Sequence, residues 1–125
     1  MSEANKPELR VSFVLDKDDK PIQVGDNVYK IELSVVGAPP ETGSVVYQLD
    51  PSYYRPIREK RRSSDDKCFV EQTTTFGDYD LIARLRLPGK IEMLAAPISG
   101  ALRETHRDQL ENPAIAAAIE SIAKH

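Results

Sequence analysis

The chain has 125 residues, of which 40% are hydrophobic and 30% are charged, and its formal net charge is −3. This length suits one domain with one core, and the negative balance argues against bulk electrostatic binding to DNA or an anionic membrane. The single cysteine, Cys68, excludes an intramolecular disulfide and therefore a disulfide-rich secreted fold. No apolar run approaches the ~20 residues that span a bilayer, and residues 1–8 lack a signal-peptide core. We therefore expect a cytoplasmic protein.

Alternation of apolar and polar residues predicts several β-strands, because successive side chains of a strand point to opposite faces. Six stretches alternate in this way or are rich in β-prone residues: 9–15, 29–35, 44–49, 68–75, 79–87 and 91–94. The two longest, 29–35 and 79–87, have one apolar and one polar face and should share a core. The charged stretch 58–66 is interpreted as an exposed excursion. The prediction is six or seven strands.

Helical spacing replaces the strand period after Pro97. Ser99 is expected to cap a first helix that carries Leu102, His106 and Leu110 on one face. Asn112 and Pro113 are the N-cap and first residue expected of a second helix. Its apolar stripe has helical spacing: Ile115, Ala118, Ile119 and Ile122.

Strands followed by two short helices predict a mainly β fold, an antiparallel β-sandwich with a short C-terminal helical appendage. We divide the chain into a disordered lead-in (1–8), the sandwich (9–96) and a helical tail (97–125).

The sequence shows no constellation for catalysis, metal binding or a cofactor. His106 has no second histidine or cysteine at ligand spacing, and Cys68, in a strand pattern beside Phe69, is expected to be a small buried residue. Phosphate-cradling and nucleophile-elbow motifs are absent from the sequence. We predict a non-enzymatic protein without a cofactor.

A basic cluster, Arg55 to Arg62, is interrupted by Glu59. Such a run usually forms a solvated face, although it could also bind an acidic partner or phosphates. Because Tyr54 is the only aromatic residue among these charges, nucleic acid is the less favoured partner.

Two segments resemble a known family. Residues 45–58, VVYQLDPSYYRPIR, resemble a signature of YEATS domains, in which a strand ends in Leu-His-x-Ser-Phe and continues to a proline and a basic residue. Residues 75–79, TFGDY, are similar to the Gly-Trp-Gly-Glu-Phe segment of that family. Both occur in the family's order within residues 45–87, about a third of the chain. The flanking strands resemble those of the prokaryotic members.

The resemblance implies an immunoglobulin-like sandwich that reads acylated lysine. In eukaryotic members two aromatic rings from two loops enclose the flat acyl-amide, while a serine hydroxyl and backbone amides hold its carbonyl. By matching position, Tyr53 and Phe76 would be the two walls and Ser52 the hydroxyl. Gly77 would allow close backbone approach, and Tyr79 would support the wall from below.

The chain departs from the family pattern at three positions: Asp50 replaces a histidine, Thr75 a glycine, and Phe76 a Trp or Tyr. Two π-faces can pack a neutral amide without desolvating a charge. However, the Asp50 carboxylate would repel an amide carbonyl and attract a free ammonium or another donor. Asp50 and Ser52 also suit a turn that caps itself, and Tyr53 and Phe76 suit either core or pocket.

The functional prediction is recognition of an acylated-lysine-like peptide, or another small polar ligand, between loops 50–56 and 74–79. In the alternative, the sandwich is a scaffold in a bacterial signalling or stress system. Its tail residues Ile115, Ile119 and Ile122 would then dock on a partner protein or on a second copy of the chain.

Overall fold

The computed structural model describes residues 7–53, 55–61, 69–75 and 77–124, and these ranges contain eight strands, two α-helices and a 3₁₀ turn. The strands are β1 (Glu8–Phe13), β2 (Gln23–Gly25), β3 (Val28–Val36), β4 (Ser44–Gln48), β5 (Ile57–Arg61), β6 (Glu71–Thr75), β7 (Asp80–Leu87) and β8 (Lys90–Pro97). The helices are α1 (Ile98–Thr105) and α2 (Pro113–Ala123), with the 3₁₀ turn Arg107–Gln109 between them. Among the residues singled out in the sequence, Tyr54, Arg62, Cys68 and Phe76 lie outside the described ranges, as do residues 1–6 of the lead-in and 62–66 of the charged stretch.

The strands form two antiparallel four-stranded sheets within the described residues. In the first sheet, β3 pairs with β1, β2 and β6; the second has the order β5-β4-β7-β8. A tight turn at Pro88 and Gly89 joins β7 to β8, and Gly89 has a φ of 75°, a left-handed conformation that glycine adopts without steric cost. This arrangement confirms the predicted antiparallel β-sandwich.

The inner faces of the two sheets meet in one core. Ile31, Leu33, Leu81 and Leu85 are fully buried, as the alternation of the two long strands predicted. Tyr29 and Tyr79 are partly buried and pack against the edge of the same cluster. The apolar face of each strand is therefore assigned correctly by its sequence.

Two strands differ from the predictions. The charged stretch predicted as an excursion begins with β5, which pairs with β4 from Gln48–Ile57 to Ser44–Arg61. This pairing satisfies backbone groups whatever the side chains are, and a charged strand is well suited to a sheet edge. The short strand β2 was not predicted, because three residues are too few to show a period. The described residues therefore contain eight strands rather than six or seven.

The helical tail contains both predicted helices, but Ser99 is not the cap of the first. Pro97 occupies the N-cap position of α1, and Ser99 lies within its first turn. The prediction for α2 is confirmed, since the Asn112 side chain accepts a hydrogen bond from the Ala114 amide at 3.0 Å and Pro113 begins the helix.

The apolar stripe on the tail packs on the sandwich, so the alternative in which it docks on a partner is wrong. Ile115, Ile119 and Ile122 are buried in the same cluster as the inner faces of the sandwich. Burying one such side chain is worth about 1.5–3 kcal/mol, so the stripe is stabilised by packing on the sandwich. These residues are not available to bind a partner or a second copy of the chain.

His106 connects the tail to the first sheet. The Phe13 amide donates a hydrogen bond to its Nε2 at 2.9 Å, and its Nδ1 lies 2.6 Å from Gln109 Oε1. Because Nε2 accepts, the proton of the neutral ring is on Nδ1 and is donated to Gln109. Leu110, predicted on the same helical face, lies beyond the end of α1 and is exposed.

Candidate functional site

The two predicted loops meet at one end of the sandwich. The loop 50–56 follows β4 and the loop 74–79 precedes β7, and Gln48 pairs with Ile82 where these two strands run side by side. The Tyr53 hydroxyl donates a hydrogen bond to the Thr74 carbonyl oxygen at 2.5 Å. Its ring contacts that of Tyr79 edge-on, with 5.7 Å between the ring centroids. Tyr53 is thus the residue that holds one loop against the other.

Asp50 and Ser52 form a self-capped turn. The Ser52 hydroxyl and amide both donate to Asp50 Oδ2, the amide at 3.4 Å, and the Tyr53 amide donates to the Asp50 carbonyl oxygen at 3.0 Å. The carboxylate therefore has the turn role that its sequence context allowed. The Ser52 side chain remains exposed, but its proton is directed to Asp50 rather than to solvent.

Tyr79 packs against the Tyr53 ring and is only partly accessible. Its hydroxyl is buried and has no hydrogen-bond partner among the described residues. Burial raises the pKa of the Tyr79 phenol well above its usual range, neighbouring Tyr53 and Asp50 raise it further, and the Arg58 guanidinium opposes them. The Tyr79 phenol therefore stays protonated to a higher pH than an exposed tyrosine.

The second loop is fixed to the helical tail by Asp78, a residue that sequence reasoning missed. Its carboxylate accepts hydrogen bonds from the Ser99 amide at 3.0 Å and from the Ser99 hydroxyl at 2.6 Å. This interaction supplies the start of α1 with the side-chain acceptor that Pro97 lacks. Because Asp78 and Ser99 lie in different elements, no local spacing signalled the pair.

Of the two remaining predicted site residues, the structure describes Gly77 but not Phe76. Gly77 is half-buried, and its carbonyl oxygen accepts a hydrogen bond from the Thr75 hydroxyl at 2.8 Å, so Thr75 stiffens the loop from within. Phe76 lies outside the described residues, and its position relative to Tyr53 stays a prediction.

Arg58 is a charged neighbour of the site that was not predicted to have a role there. Its Nη1 lies 3.0 Å from Glu71 Oε2 and its Nε donates to the Arg55 carbonyl oxygen at 2.6 Å. The guanidinium is therefore held in place by strand β6 and by the loop itself. In the sequence this residue is the basic residue that ends the family-like segment 45–58, but no role at the site was assigned to it.

Neither a metal centre nor a membrane span is found in the part of the chain that the structure describes. No group of three or more potential metal-binding side chains occurs among those residues. In the same ranges, no helix is both long enough and apolar enough to cross a bilayer.

Sequence comparison finds no matching family model and no significantly similar curated protein. Solved structures do resemble the chain. The Yaf9 YEATS domain recognizing an H3K122suc peptide has a TM-score of 0.52 and 15% identity, over 74% of each chain. The Yaf9 YEATS domain bound to H3K27ac has a TM-score of 0.52 and 15% identity, over 74% of this chain and 73% of that one. The yeast AF-9 homolog protein Yaf9 has a TM-score of 0.50 and 16% identity, over 74% and 68%. These similarities establish a YEATS-like fold.

Proposed function

We propose that this chain is a non-catalytic recognition module, related to the prokaryotic YEATS-like proteins, that works in the bacterial cytoplasm. Its ligand is an acylated-lysine-like peptide, or another small polar ligand, bound between loops 50–56 and 74–79. The observation that carries the proposal is the pair of Tyr53 contacts, to the Thr74 carbonyl and to the Tyr79 ring, which hold the two loops together. The Yaf9 structures with H3K122suc and H3K27ac support the same class of ligand for this fold.

In this proposal, Tyr53 provides one aromatic surface for a flat amide and Phe76 provides the other. Both surfaces stack on a neutral group, so no charge has to be desolvated. Gly77 allows the ligand to approach the backbone, and Tyr79 supports Tyr53 from below through the edge-on contact. The hydroxyl of Ser52 is the proposed donor to the ligand carbonyl.

Asp50 sets the selectivity of the proposed site. Since the Ser52 proton is directed to the Asp50 carboxylate, a ligand carbonyl must compete with an anion for that donor. A ligand that offers an N–H group to the same carboxylate meets no such competition. The aspartate therefore favours ligands that place a hydrogen-bond donor next to its carboxylate. A histidine at this position, as in eukaryotic readers, would not favour such donors.

The test is a calorimetric titration with matched peptides that carry unmodified, acetylated or succinylated lysine. Removing one wall by Phe76→Ala should weaken the best ligand by about 1–3 kcal/mol, the cost of losing a stacking surface. The melting temperature should change little, because a pocket ring is partly exposed. Equal affinity in wild type and Phe76→Ala would contradict the proposed pocket.

The role of Asp50 is tested separately. Asp50→His should raise the affinity for acylated peptides, and Asp50→Asn should remove any preference for unmodified lysine. Asp26→Asn is a matched control, since Asp26 is an exposed aspartate in the turn between β2 and β3. If neither wild type nor Asp50→His binds any of the peptides at millimolar concentration, the proposal is rejected.

A further inference from the structure

The outer face of the second sheet carries exposed apolar side chains. Ile57 is 55% exposed, Ile91 61% and Met93 60%. Ala95 is also exposed, and Ile82 is half-buried. We call these five residues the outer patch.

Strand register places the residues of the outer patch on one surface, with Gln48 between Ile57 and Ile82. Ile57 pairs with Gln48, Gln48 with Ile82, and Ile82 with Ala95, so one row crosses all four strands. Since neighbouring strands are about 4.8 Å apart, this row extends over about 14 Å. Met93 and Ile91 extend the patch along β8, opposite Arg84 and Arg86 respectively.

The corresponding face of the first sheet is different. Its outward positions are mostly polar: Glu8, Arg10, Ser12, Lys30, Glu32, Ser34, Gln72 and Thr74. Forming a sandwich therefore does not require apolar residues on an outer face. Moreover, β8 is the terminal strand of the second sheet in the described residues, a position where natural sheets favour charges over exposed apolar side chains. The apolar character of this face needs another cause, and binding is the usual one.

The charges around the outer patch indicate what binds there. Arg61, Arg84 and Arg86 lie on this face with two carboxylates, Asp80 at the start of β7 and Glu59, which is 3.9 Å from each of Arg61 and Arg86. The face is thus positive on a chain whose net charge is −3. With three arginines and two carboxylates on this face, a second copy docked face to face would bring two positively charged surfaces together, which is unfavourable. A nucleic acid would find aliphatic rather than aromatic side chains at the centre.

We propose that the outer patch is a docking surface for an acidic segment of a partner protein, in which apolar side chains are interspersed with carboxylates. The apolar side chains would cover Ile57, Ile91 and Met93, and the carboxylates would pair with Arg84 and Arg86. This surface adjoins loop 50–56 at Ile57, but its side chains are the outward residues of β5, β7 and β8 and not those proposed to line the pocket.

The experiment selects partners without assuming their sequence. A phage-displayed library of random short peptides is selected against the immobilised full chain, and enriched peptides are synthesised and titrated. We expect them to combine apolar with acidic residues. The double variant Ile91→Ser/Met93→Ser should bind them about tenfold more weakly, since truncated anchors at the centre of an interface dominate its affinity. Arg84→Gln should weaken binding and reduce its dependence on salt.

Control variants test whether binding is confined to the outer patch. Val36→Ser and Arg10→Gln change outward residues of the first sheet and should leave binding unchanged, as should Phe76→Ala in the proposed pocket. Circular dichroism and melting temperature verify that each variant is folded. The proposal is overturned if no peptide is enriched, if enriched peptides lack acidic residues, or if they bind the double variant as tightly as wild type. Self-association that the double variant abolishes would also overturn it, in favour of a second copy.

Discussion

The two sheets of the sandwich have similar inner faces and different outer faces. Inside, both contribute fully buried aliphatic residues, among them Leu33 from the first sheet and Leu81 from the second. Outside, the first sheet is mostly polar, with Val24 and Val36 as apolar exceptions, whereas the second exposes Ile57, Ile91 and Met93 beside arginines. The inner faces are constrained by folding, so they have to be alike. The outer faces are free of that constraint, and their difference therefore indicates function.

The helical tail contacts both sheets. His106 binds the Phe13 amide of the first sheet, and Ser99 binds Asp78 just before β7 of the second. Helix α1 packs against β1 and β8, so the tail closes one side of the sandwich.

The largest effect is expected from Ile119→Asp in α2. The side chain is 1% exposed, and a carboxylate there would be buried without a partner. We expect a loss of about 4 kcal/mol or more in the free energy of unfolding, measured by urea denaturation. Ala117→Asp is the matched control, since Ala117 is exposed on the same helix. Wild-type stability in Ile119→Asp would mean that the tail is not part of the core.

Next in size are Leu33→Ala and Leu81→Ala, one in each sheet. Both side chains are fully buried in the same core, so each should lower the free energy of unfolding by about 2–5 kcal/mol. Ile91→Ala removes a comparable side chain from the outer patch and should change stability by less than about 0.5 kcal/mol. Similar losses at Leu81 and Ile91 would remove the distinction between inner and outer faces.

A smaller loss is expected where the tail meets the first sheet. His106→Ala leaves the Phe13 amide without its acceptor and should cost about 1–3 kcal/mol. Hydrogen exchange at the Phe13 amide should accelerate more than exchange in β4. His106→Gln offers a side-chain oxygen at a similar position and should recover part of the loss. Unchanged exchange at Phe13 in His106→Ala would show that the bond contributes nothing.

The smallest effect on stability at neutral pH is expected from Tyr79→Phe, at the residue just before β7. The variant removes a buried hydroxyl that has no partner among the described residues, so stability at pH 7 should change by less than about 1 kcal/mol. Above about pH 10 the Tyr79 phenol ionises in the unfolded state, whereas in the folded state its raised pKa keeps it protonated. Wild type should therefore lose stability as the pH rises further, and Tyr79→Phe should lose less. Parallel pH profiles of the two proteins would contradict this assignment.

Much of the fold follows from local sequence patterns. The alternation around Leu33 and Leu81 determines which faces are buried, and Asn112 with Pro113 determines where α2 begins, because these signals involve residues a few positions apart. The same holds for the turn that Asp50 and Ser52 close. The candidate site residues, by contrast, come from the resemblance of two short segments to YEATS domains, and their binding role stays a prediction.

Contacts between residues that are distant in sequence depend on the tertiary structure. Asp78 reaches Ser99 across 21 positions and His106 reaches Phe13 across 93, and no spacing rule connects such pairs. The pairing of charged β5 with β4, the burial of the tail isoleucines and the meeting of Tyr53 with Thr74 depend in the same way on how the sheets are assembled. A sequence specifies which side chains are apolar and where strands and helices begin, whereas the partner of each polar group is determined only once the packed sheets bring distant elements within hydrogen-bonding distance.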